Sequence, residues 1–298
     1  GNYPTGTDNV ALGDTALDSG SLSGGCNVAI GKASMTTNTS GTKNVAIGRQ
    51  SMNNNTTGGS NVALGDQALF SNISASQNTA VGKDALGLNT TGDCNTAVGK
   101  GSLDTNTTGT RNIAVGGEAL GANTTASFNN ALGYKALCSN TTGASNIAIG
   151  TCSMRINTTG ANNTAVGDKA LCSNTTGISN TAVGVESVCN NTTGIKNVGV
   201  GLNSLRKVTT GSCNVGIGTS ALQNGGTGSS NTAVGNQSQL SNASGSNNTS
   251  IGACSLNDNT TASNNTAVGS SALESNTTGA CNVAVGVFTL DANTTASC

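Results

Sequence analysis

Three residue types in this chain could do chemistry, and one that usually does is missing. Ten cysteines offer thiol or disulfide chemistry, thirteen Asp and Glu offer acid–base chemistry, and there is no histidine. Without imidazole, the usual serine and cysteine triads and most zinc sites fall away. The sequence has no CxxC pair, no GxxxxGK[ST] phosphate loop and no GGxGxD calcium run. The carboxylates do not recur as a pair, so no glycosidase-like dyad stands out. The expectation is a protein that is not an enzyme and holds no metal or organic cofactor.

The third group is a set of Asn-x-Ser/Thr triplets, each an N-glycan acceptor by sequence, that fourteen copies of a repeat carry at one fixed position. They open at Asn38, Asn55, Asn72, Asn89, Asn106, Asn123, Asn140, Asn157, Asn174, Asn191, Asn242, Asn259, Asn276 and Asn293. Read functionally, they predict covalent N-glycans along one edge, added in a secretory pathway. Read structurally, Asn, Thr and Gly are turn residues, and stacked amides would form an Asn ladder. Where the middle residue changes, at Ile73 and Ala243, the hydroxyl survives as Ser74 and Ser244, which a glycan acceptor requires. Thr210 and Thr227 also persist where Asn is lost to Val208 and Gly225, so the hydroxyl has a structural reason of its own. The glycan reading is the leading expectation.

Consecutive triplets are seventeen residues apart, and that interval organises the whole chain. The Asn of an NxAxG-like motif recurs seventeen times from Asn9 to Asn282, first after 18 residues and then every 17. Counting slots from that Asn, slot four is Val, Ile or Leu and slot five Gly in every copy. Slot three is Ala with rare Gly or Ser. Slot eight is Ala or Ser except at Thr289, and slot nine is Leu, Met or Val except at Gln239. NTTG occupies slots twelve to fifteen. Loops tolerate insertions, so so strict a period marks a closed geometric unit.

Seventeen residues cannot bury a core alone, and helical repeats need about 33 or more. Stacking solves both problems. The sequence therefore predicts an all-β parallel β-solenoid (a β-roll) of seventeen 17-residue coils, spaced about 4.8 Å, forming a rod on the order of 80 Å. NVAIG and the following xALxx are the expected strand segments. Slot five calls for Gly at positive φ; slot fifteen, where Ala75, Ala126, Ala262 and Ala296 appear, does not. Slots two and four share one face and slot three the other. Neither face is strongly polar, which leaves open a covered face in an oligomer or a small solvated Ala. Residues 1–298 read as one array, with 1–8 the end of a preceding coil and 9–298 the seventeen coils. Gly1 in place of Met, and the lack of polar caps, suggest a piece of a longer fibre.

The cysteines lie only in slots seven, ten and seventeen, which elsewhere hold polar residues and so face solvent. Disulfides in an oxidising compartment are the expected reason for them. Cys172 and Cys189 share slot ten in adjacent coils and Cys281 and Cys298 share slot seventeen, within disulfide reach at a coil rise. Cys138 with Cys152 is a looser pair, three slots apart. Cys26, Cys94, Cys213 and Cys254 have no same-column neighbour.

The motifs NTAVG (Asn163 to Gly167) and NIAIG (Asn146 to Gly150), with Ala-Leu and NTTG following, make the chain similar to a known repeat type. It resembles the head repeats of trimeric autotransporter adhesins, though with longer coils, and repeats in tail fibres of phages and large DNA viruses. The resemblance implies a left-handed parallel β-roll and a role at a surface. Composition agrees with a partner-poor shaft: a net charge of −1 gives no basis for nucleic-acid binding, and no apolar run is long enough to span a membrane. The combined expectation is an extracellular, glycosylated, disulfide-stapled structural fibre on a cell or virion surface that self-associates. An adhesin or receptor-binding shaft is the alternative, and an ice-binding solenoid with stacked Thr columns a minor one.

Overall fold

The computed structural model describes residues 6–298, and residues 1–5 of the expected partial coil lie outside them. The chain divides into two units, Gly1–Asn146 and Ile147–Cys298. The first carries strands β1 (Val10–Leu12) to β8 (Asn130–Leu132), and the second β9 (Ile147–Ile149) to β17 (Val283–Val285). Both are built from one coil, and every strand is three residues long, at slots two to four. Paired strands within each unit are parallel and in strict slot-to-slot register, as Thr79↔Thr96, Ala80↔Ala97 and Val81↔Val98 show. The all-β parallel solenoid is thus what the period produces.

The coil Asn95–Arg111 shows how the chain closes. The Thr96 N–H donates to the Asn112 carbonyl of the next coil at 2.8 Å, and the Gly99 N–H donates to the Val81 carbonyl of the previous one at 2.8 Å. After the strand, Gly99 turns the chain at φ 133°, and a Cβ there would lie 2.7 Å from the Gly116 carbonyl. Both facts demand glycine, as expected for slot five. Slot fifteen keeps negative φ at Gly92 and Gly109, also as expected.

The xALxx segment differs from its expectation. It is a turn, because slot nine adopts left-handed backbone, with Leu69 at φ 53° and Leu103 at φ 49°. Slots seven and seventeen do the same, as at Gln67 (φ 57°) and Ser60 (φ 59°). Non-glycine residues in this region cost roughly 1–2 kcal/mol each. The conformation persists because its polar groups bond to adjacent coils. The Gln67 N–H donates to the Arg49 carbonyl at 2.9 Å, Ser60 to Thr42 at 2.9 Å, and Leu69 to Ala85 at 2.9 Å.

The core is narrow. In the same coil Asn95, Ala97, Ser102, Leu103 and Asn106 are fully buried. Slot-three Ala is therefore an interior residue, not a solvated one; its methyl and the slot-nine side chain fill the coil. Slot-eight serines are satisfied locally, as Ser102 Oγ donating to the Gly99 carbonyl at 2.9 Å shows. One copy breaks the pattern. Gln239 is buried in slot nine, with neither its Nε2 nor its Oε1 partnered among the described residues.

Candidate functional site

Slot twelve, the glycan-acceptor column, forms the core of each coil. Asn38, Asn55, Asn72, Asn89, Asn106, Asn123 and Asn140 in the first unit are fully buried, as are Asn157, Asn174, Asn191, Asn242, Asn259 and Asn276 in the second; Asn293, in the last coil, is half-buried. Each amide nitrogen works inside the coil. Asn106 Nδ2 donates to the Gly109 carbonyl at 3.0 Å and to Asn89 Oδ1 at 2.8 Å, while Asn123 Nδ2 donates to Asn106 Oδ1 at 2.8 Å. The terminal Asn293 donates to Asn276 Oδ1 at 3.1 Å. A glycan would attach to this same nitrogen, which in the folded coil is already bonded twice. In this structure these side chains form a structural amide ladder. The Asn-x-Ser/Thr pattern alone does not separate the two readings, because the same residues serve both purposes.

A second amide column stands beside it at slot one. Asn112 donates its backbone N–H to Asn95 Oδ1 at 3.0 Å, and its Nδ2 donates to the Ala126 carbonyl at 2.9 Å. Asn95 likewise donates to the Gly109 carbonyl at 2.8 Å, the group Asn106 also uses. The two columns share the slot-fifteen carbonyl, which explains why slots one, twelve and fifteen recur together. Where Val208 replaces Asn, the Asn191 Oδ1 of the preceding coil is left without a donor among the described residues. The slot-thirteen hydroxyls are also committed, Thr107 Oγ1 donating to the Thr124 carbonyl at 3.1 Å. Slot fourteen presents Thr and Ser at the surface, as Thr91, Thr108 and Thr125 do.

Outside, the strands present an apolar stripe. Slots two and four point away from the core; Val62 is 39% and Leu64 45% exposed, flanking a fully buried Ala63. The second unit repeats this at Ile147 (38%) and Ile149 (39%). Slot four is Val, Ile or Leu in every coil and exposed or half-exposed throughout. This resolves which side of the strand is covered by the chain itself: slot three is, and slots two and four are not.

The cysteines lie at the surface, as their columns predict, and are thiols rather than disulfides in this structure. Cys172 and Cys189 are brought together in adjacent coils, where the Ser173 N–H donates to the Cys189 carbonyl at 2.9 Å. So are Cys281 and Cys298, where the Cys281 thiol pushes the Cys298 thiol up from its ordinary value. Cys138 and Cys152 belong to different units, each half-buried. Cys94 Sγ lies 3.2 Å from Gln77 Oε1 in the coil before it. No group of three or more metal-ligating side chains comes together among the described residues, and no helix there is long and apolar enough to cross a membrane.

The chain matches no protein family model and no curated protein.

Proposed function

We propose that this chain is a structural shaft, a segment of a surface fibre whose copies associate laterally through the Val, Ile and Leu column of slot four, flanked at slot two mostly by Val, Ile and Thr. The parallel solenoid of each unit supplies the scaffold. The carrying observation is the stripe itself: an apolar residue stands exposed at slot four of every coil, although a lone soluble shaft gains nothing from it. Slots six and seven beside it carry Lys, Asp, Gln and Arg in many coils, while Tyr134, Val185 and Leu202 widen the apolar surface in others.

The occupant is a second copy of the same chain. Identical stripes share one rise per coil, so ridges and gaps on one copy meet those on another at every coil in turn. The near-zero net charge opposes no such approach. The resemblance to adhesin-head and tail-fibre repeats supports a place at a cell or virion surface.

Sedimentation of the purified chain tests this. The wild type is expected to run as an oligomer at micromolar concentration, and a triple variant Val81→Glu, Val98→Glu, Val115→Glu as a monomer with an unchanged circular dichroism spectrum. A wild-type monomer at tens of micromolar (roughly −6 to −8 kcal/mol of missing association energy) overturns the proposal.

A further inference from the structure

Slot ten of the second unit holds an arrangement that occurs in no other column. Four consecutive coils place Arg155, Cys172, Cys189 and Arg206 directly above one another. The stacking is fixed by the backbone: Ile156 N–H donates to the Cys172 carbonyl at 3.2 Å, Ser173 to Cys189 at 2.9 Å, and Asn190 to Arg206 at 2.9 Å. Two thiols at one coil rise, about 4.8 Å, fall inside the Cα separation a disulfide accepts. Both are half-buried and open to solvent on the outer side.

The two thiols are not equivalent. Cys172 stands between Arg155 and Cys189 in the column, and its thiol is held low first by Cys189 and then by Arg155 and the Lys169 ammonium. On the other side, the Arg206 guanidinium is turned onto Glu186, Nε to Oε2 at 2.6 Å. The Cys189 thiol is pushed up by Cys172 first, then by burial and the Glu186 carboxylate, which together outweigh the opposing pull of Arg206. The arginine beside Cys189 is thus largely committed to Glu186.

We propose that Cys172 and Cys189 are a redox-active dithiol, with Cys172 the attacking thiolate and Cys189 the resolving thiol, exchanging with a low-molecular-weight disulfide. In the first step the Cys172 thiolate attacks one sulfur of the small disulfide. A Cys172–S–S–R bond forms, the small S–S bond breaks, and one RS⁻ leaves. Cys189 then gives its proton to a departing thiolate or to water and attacks the Cys172 sulfur. The intercoil disulfide forms and the second RS⁻ leaves. Two cysteine sulfurs lose two electrons in total, and the small disulfide gains them as two thiols. The product is a staple between neighbouring coils, reversed by excess small thiol.

The test uses the full reduced chain with glutathione disulfide, followed by peptide mapping. The Cys172–Cys189 linked peptide is expected before any other pair. In Cys189→Ser the glutathione adduct is expected to accumulate on Cys172, while Cys172→Ser leaves Cys189 slow to react. Slot ten carries Asp, Thr, Asn, Gly and Gln in other coils, so serine fits there.

Iodoacetamide labelling against pH gives an independent readout. The network around Cys172 lowers its midpoint to about 6, so at pH 6 it should label about tenfold faster than an unperturbed thiol, after allowing for the weaker nucleophilicity of a low-pKa sulfur. Arg155→Gln should move that midpoint upward. The proposal is overturned if Cys172 labels with an ordinary thiol profile, if other pairs link first, or if the two serine variants trap adduct equally fast.

Discussion

The inside and the outside of this coil have exchanged their usual contents. Two columns of asparagine run through the interior, while valine, isoleucine and leucine line the strand exterior. In most domains a buried amide is a cost to be offset one hydrogen bond at a time. Here the offset is built into the repeat: the oxygen of one asparagine accepts from the next, and the nitrogen also caps the slot-fifteen carbonyl. The apolar column has no such internal partner. The contrast teaches that periodic stacking can make a polar interior self-sufficient, and that the surface left incomplete is the apolar one.

Substitutions can break that comparison at graded strength. The largest effect is expected inside, at slot nine. Leu120→Ala removes a fully buried side chain from a core too narrow to collapse and should cost about 2–5 kcal/mol in chemical denaturation. The matching outer change, Val98→Ala, should cost well under 1 kcal/mol in a monomer, about the size of an exposed methyl change. Equal losses at the two sites would erase the distinction between the faces.

Next comes the ladder. Asn106→Ala leaves the buried Asn89 Oδ1 without its donor, for about 1–3 kcal/mol, while Asn123 Nδ2 and the Gly109 carbonyl each keep one other partner. The same geometry expects no sugar on the slot-twelve column: after expression through a eukaryotic secretory pathway, peptide mapping should find Asn89, Asn106 and Asn123 unmodified. A glycan found on Asn106 in the folded protein would sink the ladder reading.

A smaller effect, of opposite sign, is expected at Gln239. Gln239→Leu restores the slot-nine consensus and removes two unpartnered buried amide atoms, and should stabilise by about 1–2 kcal/mol. The smallest is at the left-handed corners. Gln77→Gly, at φ 60°, should change stability by only a few tenths of a kcal/mol, because relief of backbone strain is opposed by the greater freedom of glycine in the unfolded chain. Gly101 already fills an equivalent corner at φ 64°.

Much of the fold was legible in the residues, and less of the site was. The invariant Gly at slot five, and Ala at slot fifteen in a few coils, announced which turn needs positive φ and which does not. The left-handed corners at slots seven, nine and seventeen left no such mark. Lys, Gln, Leu and Val occupy them, held there by intercoil hydrogen bonds rather than by residue preference. The Asn-x-Ser/Thr triplets were visible yet pointed outward to a glycan, since asparagine in a turn and asparagine in a ladder look alike in one dimension. The pairing of Cys172 with Cys189 was legible from their shared slot. The flanking arginines make the two thiols unequal, and that emerged only once side chains from four coils and the Glu186 carboxylate were placed.

By itself the sequence determined the unit and its copying. A seventeen-residue interval with fixed glycine and small residues admits little but a stacked parallel coil, because only stacking pairs the backbone of so short a segment. Which way each column points was decided by the tertiary structure alone. A three-residue strand alternates faces without saying which is inside. That is settled by volume: the interior of the coil has room for alanine, leucine and two amides, and the branched residues of slots two and four stay outside.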